Sequence, residues 1–220
     1  MARTDQDGVT VPSPTRNRDK HKTKERILQV AIREFSEKSL DGARVEHIAK
    51  QADVNMRMIY HYFEDKERLY IAALERVYQD VRQAEMMLDI AALRPEMAFR
   101  RLIRFTFDHF QRNTDLVNLV MGENLLKARY LSQSQLVPKL TARLREEVAA
   151  TVARGQAAGE FRDNIDPLQF WFTMFSLCWV PVANRHTMSY TLQIDCNDPL
   201  WKERTKLHIE DILMKYLLKN

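Results

Sequence analysis

Glycine is scarce. Five of 220 residues are glycine, about 2 % against roughly 7 % in an average protein. That disfavours folds that spend glycine on tight turns and phosphate loops, and favours long helices with few breaks. No G-x-G-x-x-G, P-loop, H-E-x-x-H or G-x-S-x-G occurs, so the common nucleotide-binding, zinc-protease and hydrolase signatures are missing. The two cysteines, Cys178 and Cys196, cannot build a disulfide framework. The histidines, at 21, 47, 61, 109, 186 and 208, show no i, i+4 pair. No metal site, no cofactor and no enzymatic activity are expected. The longest apolar stretch, Phe170 to Ala183, is interrupted by Thr173, Ser176 and Pro181 and falls short of the roughly 18 residues of a membrane span. The first residues are polar and basic with no apolar core, so a signal peptide is not expected. These absences predict a soluble, cytoplasmic protein that does not enter a membrane.

What is present is charge and helical periodicity. Lysine and arginine number 34 against 30 acidic residues, a net charge of +4 and a pI near 9.1. Residues 1–22 have no apolar period and carry Arg16, Arg18, Lys20, His21 and Lys22, which predicts a flexible basic arm. Residues 23–68 hold three periodic segments. Ile27, Leu28, Ala31, Ile32 and Phe35 mark the first, with Thr23 as its expected N-cap and Asp41-Gly42 as its end. Val45, Ile48, Ala49 and Ala52 mark a second of barely two turns. Asn55 is placed to cap a third, whose Ile59 and Phe63 share one face. Residues 69–220, together with the turn that leads into them from Asp65, read as longer helices: from Lys66 to about Leu88, from Pro95 through Phe110, from Leu116 to about Arg129, and from Gln135 to Ala158. Asp166-Pro167 and Asp198-Pro199 are two copies of one start signal, Asp as N-cap and Pro at N1. They predict final helices over about 167–190 and 199–218. The fold class is all-α.

Two short helices joined by a tight turn, after a packing helix, form a helix-turn-helix. Ala49 and Ala52 are small where the helices cross. With Ile59 and Phe63 inward, Arg57 and His61 point outward, flanked by Met58, Tyr60 and Tyr62. Such a face can donate hydrogen bonds, meet thymine methyls and touch phosphates, as a major-groove helix must. The run Arg44 to Asn55, then Ile59-Tyr60-His61-Tyr62-Phe63, then Lys66-Glu67-Arg68-Leu69 resembles the TetR family of bacterial transcriptional regulators. The family pattern is close to V-x-x-I-A-x-x-A-G-V-S, then L-Y-x-Y-F, then K-x-x-L. Three positions depart from it. Asp53 replaces the usual turn glycine and must take a left-handed conformation, which Asp tolerates better than most residues. Asn55 replaces serine as a cap. Ala43 stands where Thr or Ser usually caps the first motif helix, leaving Asp41 or Gly42 to compensate.

The resemblance implies a three-helix DNA-binding domain followed by a larger helical domain for ligand binding and dimerisation. It implies DNA contacts from Arg44, Asn55, Met56, Arg57, Met58, Tyr60, His61, Tyr62 and Lys66, with Lys66 on a phosphate. Arg57 is the expected reader of guanine, since its fork matches O6 and N7. The expected partners are double-stranded DNA carrying a palindromic operator, a second copy of the chain, and a small-molecule effector that releases the repressor. A ligand-independent activator or architectural DNA-binding protein is the alternative. The two terminal helices carry more apolar surface than one core needs, which predicts a dimer interface at Phe172, Trp179, Ile209, Leu213 and Tyr216. An effector pocket is expected beneath it, lined by Phe107, Met121, Trp171 and Phe175.

Overall fold

A computed structural model describes residues 14–219 of the chain, with side chains from Asp19 onward. Among them are ten α-helices: α1 (Pro14–Gly42), α2 (Val45–Gln51), α3 (Met56–Phe63), α4 (Lys66–Met86), α5 (Pro95–Arg112), α6 (Thr114–Leu125), α7 (Leu136–Ala157), α8 (Pro167–Ala183), α9 (Arg185–Leu192) and α10 (Pro199–Leu217). No strand occurs among the described residues beyond one isolated bridge, Phe161 with Leu218. The chain divides into two compact units, up to Ala73 and from Leu74. The division falls inside α4.

The first unit is built on α1. Ile27, Ala31 and Phe35 are buried along it, as are Ile48 of α2, Ile59 of α3 and Leu69 of α4, and α2 packs on both α1 and α3. Phe35 and Tyr70 close the far side edge-to-face, with ring centres 5.1 Å apart. Three expectations on α1 need correction. The first thirteen residues of the basic arm lie outside the described residues, but residues 14–22 are helical. Pro14 suits a first turn, and the segment after it has no glycine and is rich in the good helix formers Arg and Lys. Thr23 is therefore inside the helix, where its hydroxyl donates back to the Asp19 carbonyl at 2.9 Å. The helical path breaks at Ser39, not at Asp41-Gly42. Ser39 sits at φ 60, ψ 176, a region that only glycine enters freely and that costs other residues about 1–3 kcal/mol. Ser39 is exposed, so Ser39→Gly should raise the unfolding free energy by about 1 kcal/mol. Denaturant titration checks this, and an unchanged or lower midpoint would contradict the strain.

The second unit is built around α5. Phe99, Leu102, Ile103, Phe107 and Phe110 are buried along its inner face, and α7, α8 and α10 pack on it. The two Asp-Pro signals act as read. Asp166 accepts from the N–H groups of Leu168 and Gln169, and Asp198 from that of Trp201. Buried Glu210 of α10 accepts from the guanidinium groups of Arg100 and Arg104 on α5. Burial alone pushes the Glu210 pKa up, but Arg104 and Arg100 outweigh it and hold the carboxyl below its ordinary value.

The later helices differ from expectation in several places. The stretch 167–190 is not one helix: Pro181 offers no N–H, and three residues later Asn184, at φ −104 and ψ 12, separates α8 from α9. Helix α6 stops at Leu125 because Lys127 and Ala128 both have φ near +57. Ile209 and Leu213 are 4 % and 2 % exposed. They are core residues of their own subunit, because α10 packs on α5 and α8 along that face. The exposed apolar residues of α10 are instead Leu200, Trp201, Leu207, Ile212 and Tyr216, and those of α8 are Leu168, Phe172 and Val180. Trp179 is half-buried against Phe110, with ring centres 5.2 Å apart.

Of the four expected pocket residues, Trp171 and Phe175 are neighbours on α8 with ring centres 5.8 Å apart, while Phe107 sits on α5 and Met121 on α6. Phe107 is packed in the core at 1 % exposure, and Met121 is half-buried on α6. Phe175 is stacked on Trp179 and edge-on to Phe110, in an aromatic row that fills the space beside α5. Trp171 lines an open cleft of about 380 Å³ between α7 and the start of α8, with Arg145, Glu146 and Asp166 also on its walls.

Candidate nucleic-acid interface

The turn between α2 and α3 is shaped by small residues and one left-handed one. Ala52 is fully buried, and Asp53 has φ 50. The Asp53 N–H donates to the Lys50 carbonyl at 3.2 Å and the Val54 N–H to the Ala49 carbonyl at 3.0 Å. Arg26 of α1 reaches across to the Asp53 carbonyl at 3.4 Å. Asn55 then turns extended, and its side chain accepts from the Met58 N–H at 3.0 Å. This is the cap that the departure from serine preserves.

Helix α3 is pinned by Ile59 and Phe63, 1 % and 5 % exposed. Its opposite side presents Asn55, Met56, Arg57, Tyr60 and His61 to solvent, with Met58 and Tyr62 half-buried at the flanks. His61 and Tyr62 meet edge-to-face at 5.4 Å. Lys24 of α1 lies over the Phe63 ring, 5.4 Å from its centre. Between α3 and α4 the chain reverses at Glu64, with φ 67 and ψ −60, where the Asp65 N–H donates to the Phe63 carbonyl at 2.7 Å. That is a strained γ-turn. Asp65 then accepts from the Arg68 N–H at 2.7 Å, which caps α4. Half-buried Lys66 opens that helix and donates to the Asp41 carbonyl at 3.5 Å. Arg44 is exposed at the start of α2. The structure thus brings all nine sequence-derived positions into one unit, with the α3 face free to meet a groove.

The start of α2 holds the residue that sequence reasoning missed. Arg44 is its N-cap and makes no side-chain cap, and neither Asp41 nor Gly42 supplies one. The cap comes from Glu34 of α1, a carboxylate 3 % exposed. It accepts from the Arg44 N–H at 3.3 Å, from Lys38 at 2.9 Å, and pairs with His47 Nδ1 at 2.6 Å. Burial pushes its pKa up, but Lys38, the Arg44 N–H and His47 together bring it below its ordinary value. The i, i+4 spacing of Glu34 and Lys38 is visible in the sequence, whereas the tie to residues 44 and 47 needs the fold. Because the folded pKa is depressed, this contribution is complete above the unfolded pKa and is lost as pH falls through the folded one. Glu34→Gln should cost about 1–2 kcal/mol at neutral pH and flatten the acid side of the stability curve. Equal loss at neutral and strongly acid pH would contradict the role of the charge.

No helix among the described residues is long and apolar enough to cross a membrane. Comparison with known proteins agrees with the geometry. Residues 27–73 match the family model for bacterial regulatory proteins of the tetR family, and residues 95–213 match that for the tetracyclin repressor-like C-terminal domain. The chain is 34 % identical over 196 residues to the HTH-type transcriptional repressor NicS of Pseudomonas putida, covering 89 % of this chain and 92 % of that one. It is 27 % identical over 188 residues to the HTH-type transcriptional regulator RutR of Escherichia coli, covering 86 % and 84 %. A TetR transcriptional regulator structure from Chloroflexus aurantiacus superposes with a TM-score of 0.68 at 18 % identity, over 92 % of this chain and all of that one. The match at both ends, on a helix-turn-helix with its recognition face exposed, shows that the chain belongs to the TetR family of DNA-binding transcriptional regulators.

Proposed function

We propose that the protein is a dimeric, cytoplasmic repressor that binds a palindromic operator and leaves it when a small molecule binds. The observation that carries the DNA-binding part is the exposed α3 row of Arg57, Tyr60 and His61, held outward by buried Ile59 and Phe63. Arg57 reads a base edge, and Lys66 and Arg44 hold phosphates. The basic run from Arg16 to Lys24 adds sequence-independent affinity by releasing counterions. Repression is supported by the NicS relative, a named repressor aligned over most of both chains. Dimerisation is supported by the apolar residues that α8 and α10 leave exposed, Leu168, Phe172, Val180, Ile212 and Tyr216. A two-fold pair places two recognition helices about 34–36 Å apart, one turn of DNA.

Binding measurements on base-substituted operators test the docking. Arg57→Ala should cost about 1–3 kcal/mol and relax specificity at one base position in each half-site. Lys66→Ala should weaken all sequences alike and lower the salt slope by about one phosphate. An Arg57→Ala protein with unchanged sequence preference would overturn this docking.

A further inference from the structure

The second half of α4 and the first half of α7 enclose a small cleft of about 150 Å³. Its walls carry three cations, Arg82, Lys139 and Arg143, and two carboxylates, Glu85 and Glu147. Met86, Leu140 and Leu144 supply apolar surface. Arg82 is unusual for a wall residue. It is only 7 % exposed, and one arm of its guanidinium donates to Glu85 at 2.6 Å. Its Nε is buried and has no hydrogen-bond partner. A buried guanidinium donor left unpaired is costly, and the same side chain lines the cleft.

The charge balance in the cleft favours an anion. Burial pushes the Glu85 carboxyl up to about 7, with Arg82 pulling it down and Glu147 adding to the rise. Near neutral pH Glu85 is therefore only partly ionised, and the three cations outweigh the carboxylates. The size sets a second limit, since a space of about 150 Å³ holds a molecule of about the bulk of benzene. A third limit comes from the apolar patch, which a purely inorganic anion would leave unfilled.

We propose that this cleft is a binding site for a small monocarboxylate, single-ring or of similar bulk. Its carboxylate is held by Arg82 with Arg143 and Lys139, and its apolar body lies on Met86, Leu140 and Leu144. That such a molecule is also the effector rests on the function proposed above. The link is α4 itself, which carries Arg82 and Glu85 and begins at Lys66 beside the recognition helix.

Calorimetry with benzoate on the full-length protein is the test, with benzamide as the neutral probe of the same shape. Benzoate should bind one molecule per chain, and benzamide at least about tenfold more weakly, since a charge-assisted hydrogen bond is lost. Arg82→Gln should lose benzoate binding by a similar factor. Because Arg82 is buried, the exposed pair Lys139→Gln/Arg143→Gln provides a second variant that leaves the core untouched, and it should weaken benzoate several-fold. No benzoate binding at millimolar concentration would overturn the site, as would equal affinity for benzoate and benzamide, or for wild type and the Lys139→Gln/Arg143→Gln protein. The effect on DNA is read separately, by fluorescence anisotropy of the protein–operator complex. Benzoate that binds with the expected variant pattern but leaves the complex intact would uphold the site and refute its role as effector site.

Discussion

Phe172→Glu should yield a folded monomer that has lost most of its operator affinity. Phe172 is 61 % exposed on the outer side of α8, so within one chain the carboxylate meets water and costs little. In the proposed dimer it would be buried among Leu168, Val180, Ile212 and Tyr216 without a partner, which costs several kcal/mol. An obligate interface of this kind is expected to bury about 2,000 Å² or more. Two linked half-site contacts exceed one by about 10²–10⁴-fold in affinity, and the monomer loses that factor with its recognition helix intact. Leu213→Glu is the contrast. Leu213 lies one residue from exposed Ile212 yet is 2 % exposed, so its carboxylate enters the core of its own subunit and should unfold the protein. Sedimentation velocity with far-ultraviolet circular dichroism separates the two outcomes. A Phe172→Glu protein that remains dimeric would place the interface elsewhere.

Gly155→Ala should destabilise the second unit, although alanine is the better helix former by about 1 kcal/mol. Gly155 lies inside α7, and an added Cβ would fall 2.0 Å and 2.3 Å from the Cδ2 and Cε2 atoms of Phe161. The ring has nowhere to go. Phe161 is fully buried, its ring centre is 5.8 Å from that of Phe99, and its N–H donates to the Gly155 carbonyl at 3.1 Å. The next residue is tied down as well, since the Arg162 N–H donates to the Leu217 carbonyl at 2.9 Å. Overpacking of this kind costs about 1–3 kcal/mol, a fall in melting temperature of about 2–12 °C. Adding Phe161→Leu should recover part of the loss in Gly155→Ala, because the smaller side chain vacates the contact. A Gly155→Ala protein as stable as the wild type would show that the ring is not held as described.

Periodicity and caps carried most of the architecture. The Asp166 and Asp198 starts, the Asn55 cap, the left-handed turn at Asp53 and the inward pair Ile59 and Phe63 all follow from local chemistry. So does the exposed row of Met56, Arg57, Tyr60 and His61, since α3 is short and two anchors fix its rotation. The errors fall where tertiary packing decides. An apolar stripe around α10 tells which residues are apolar but not which side meets α5, so Ile209 and Leu213 passed for interface residues. Along α8, Phe175 and Trp179 pack on each other and on Phe110, while Trp171 lines the cleft beside α7, an arrangement that the apolar stripe alone does not reveal. The Glu34 cap joins residues ten and thirteen apart, a distance no local pattern spans. The cleft at Arg82 has no sequence signature, since its cations come from two helices far apart in the chain.

The central claim is that this protein reads a two-fold-symmetric DNA sequence through α3. Selection of bound fragments from a random DNA pool by the purified full-length protein tests it most directly. The account predicts enrichment of one inverted repeat, with half-site centres about 10–10.5 base pairs or a multiple of that apart, and loss of preference at one base of each half-site in Arg57→Ala. No enriched sequence, or an enriched site without two-fold symmetry, would contradict it.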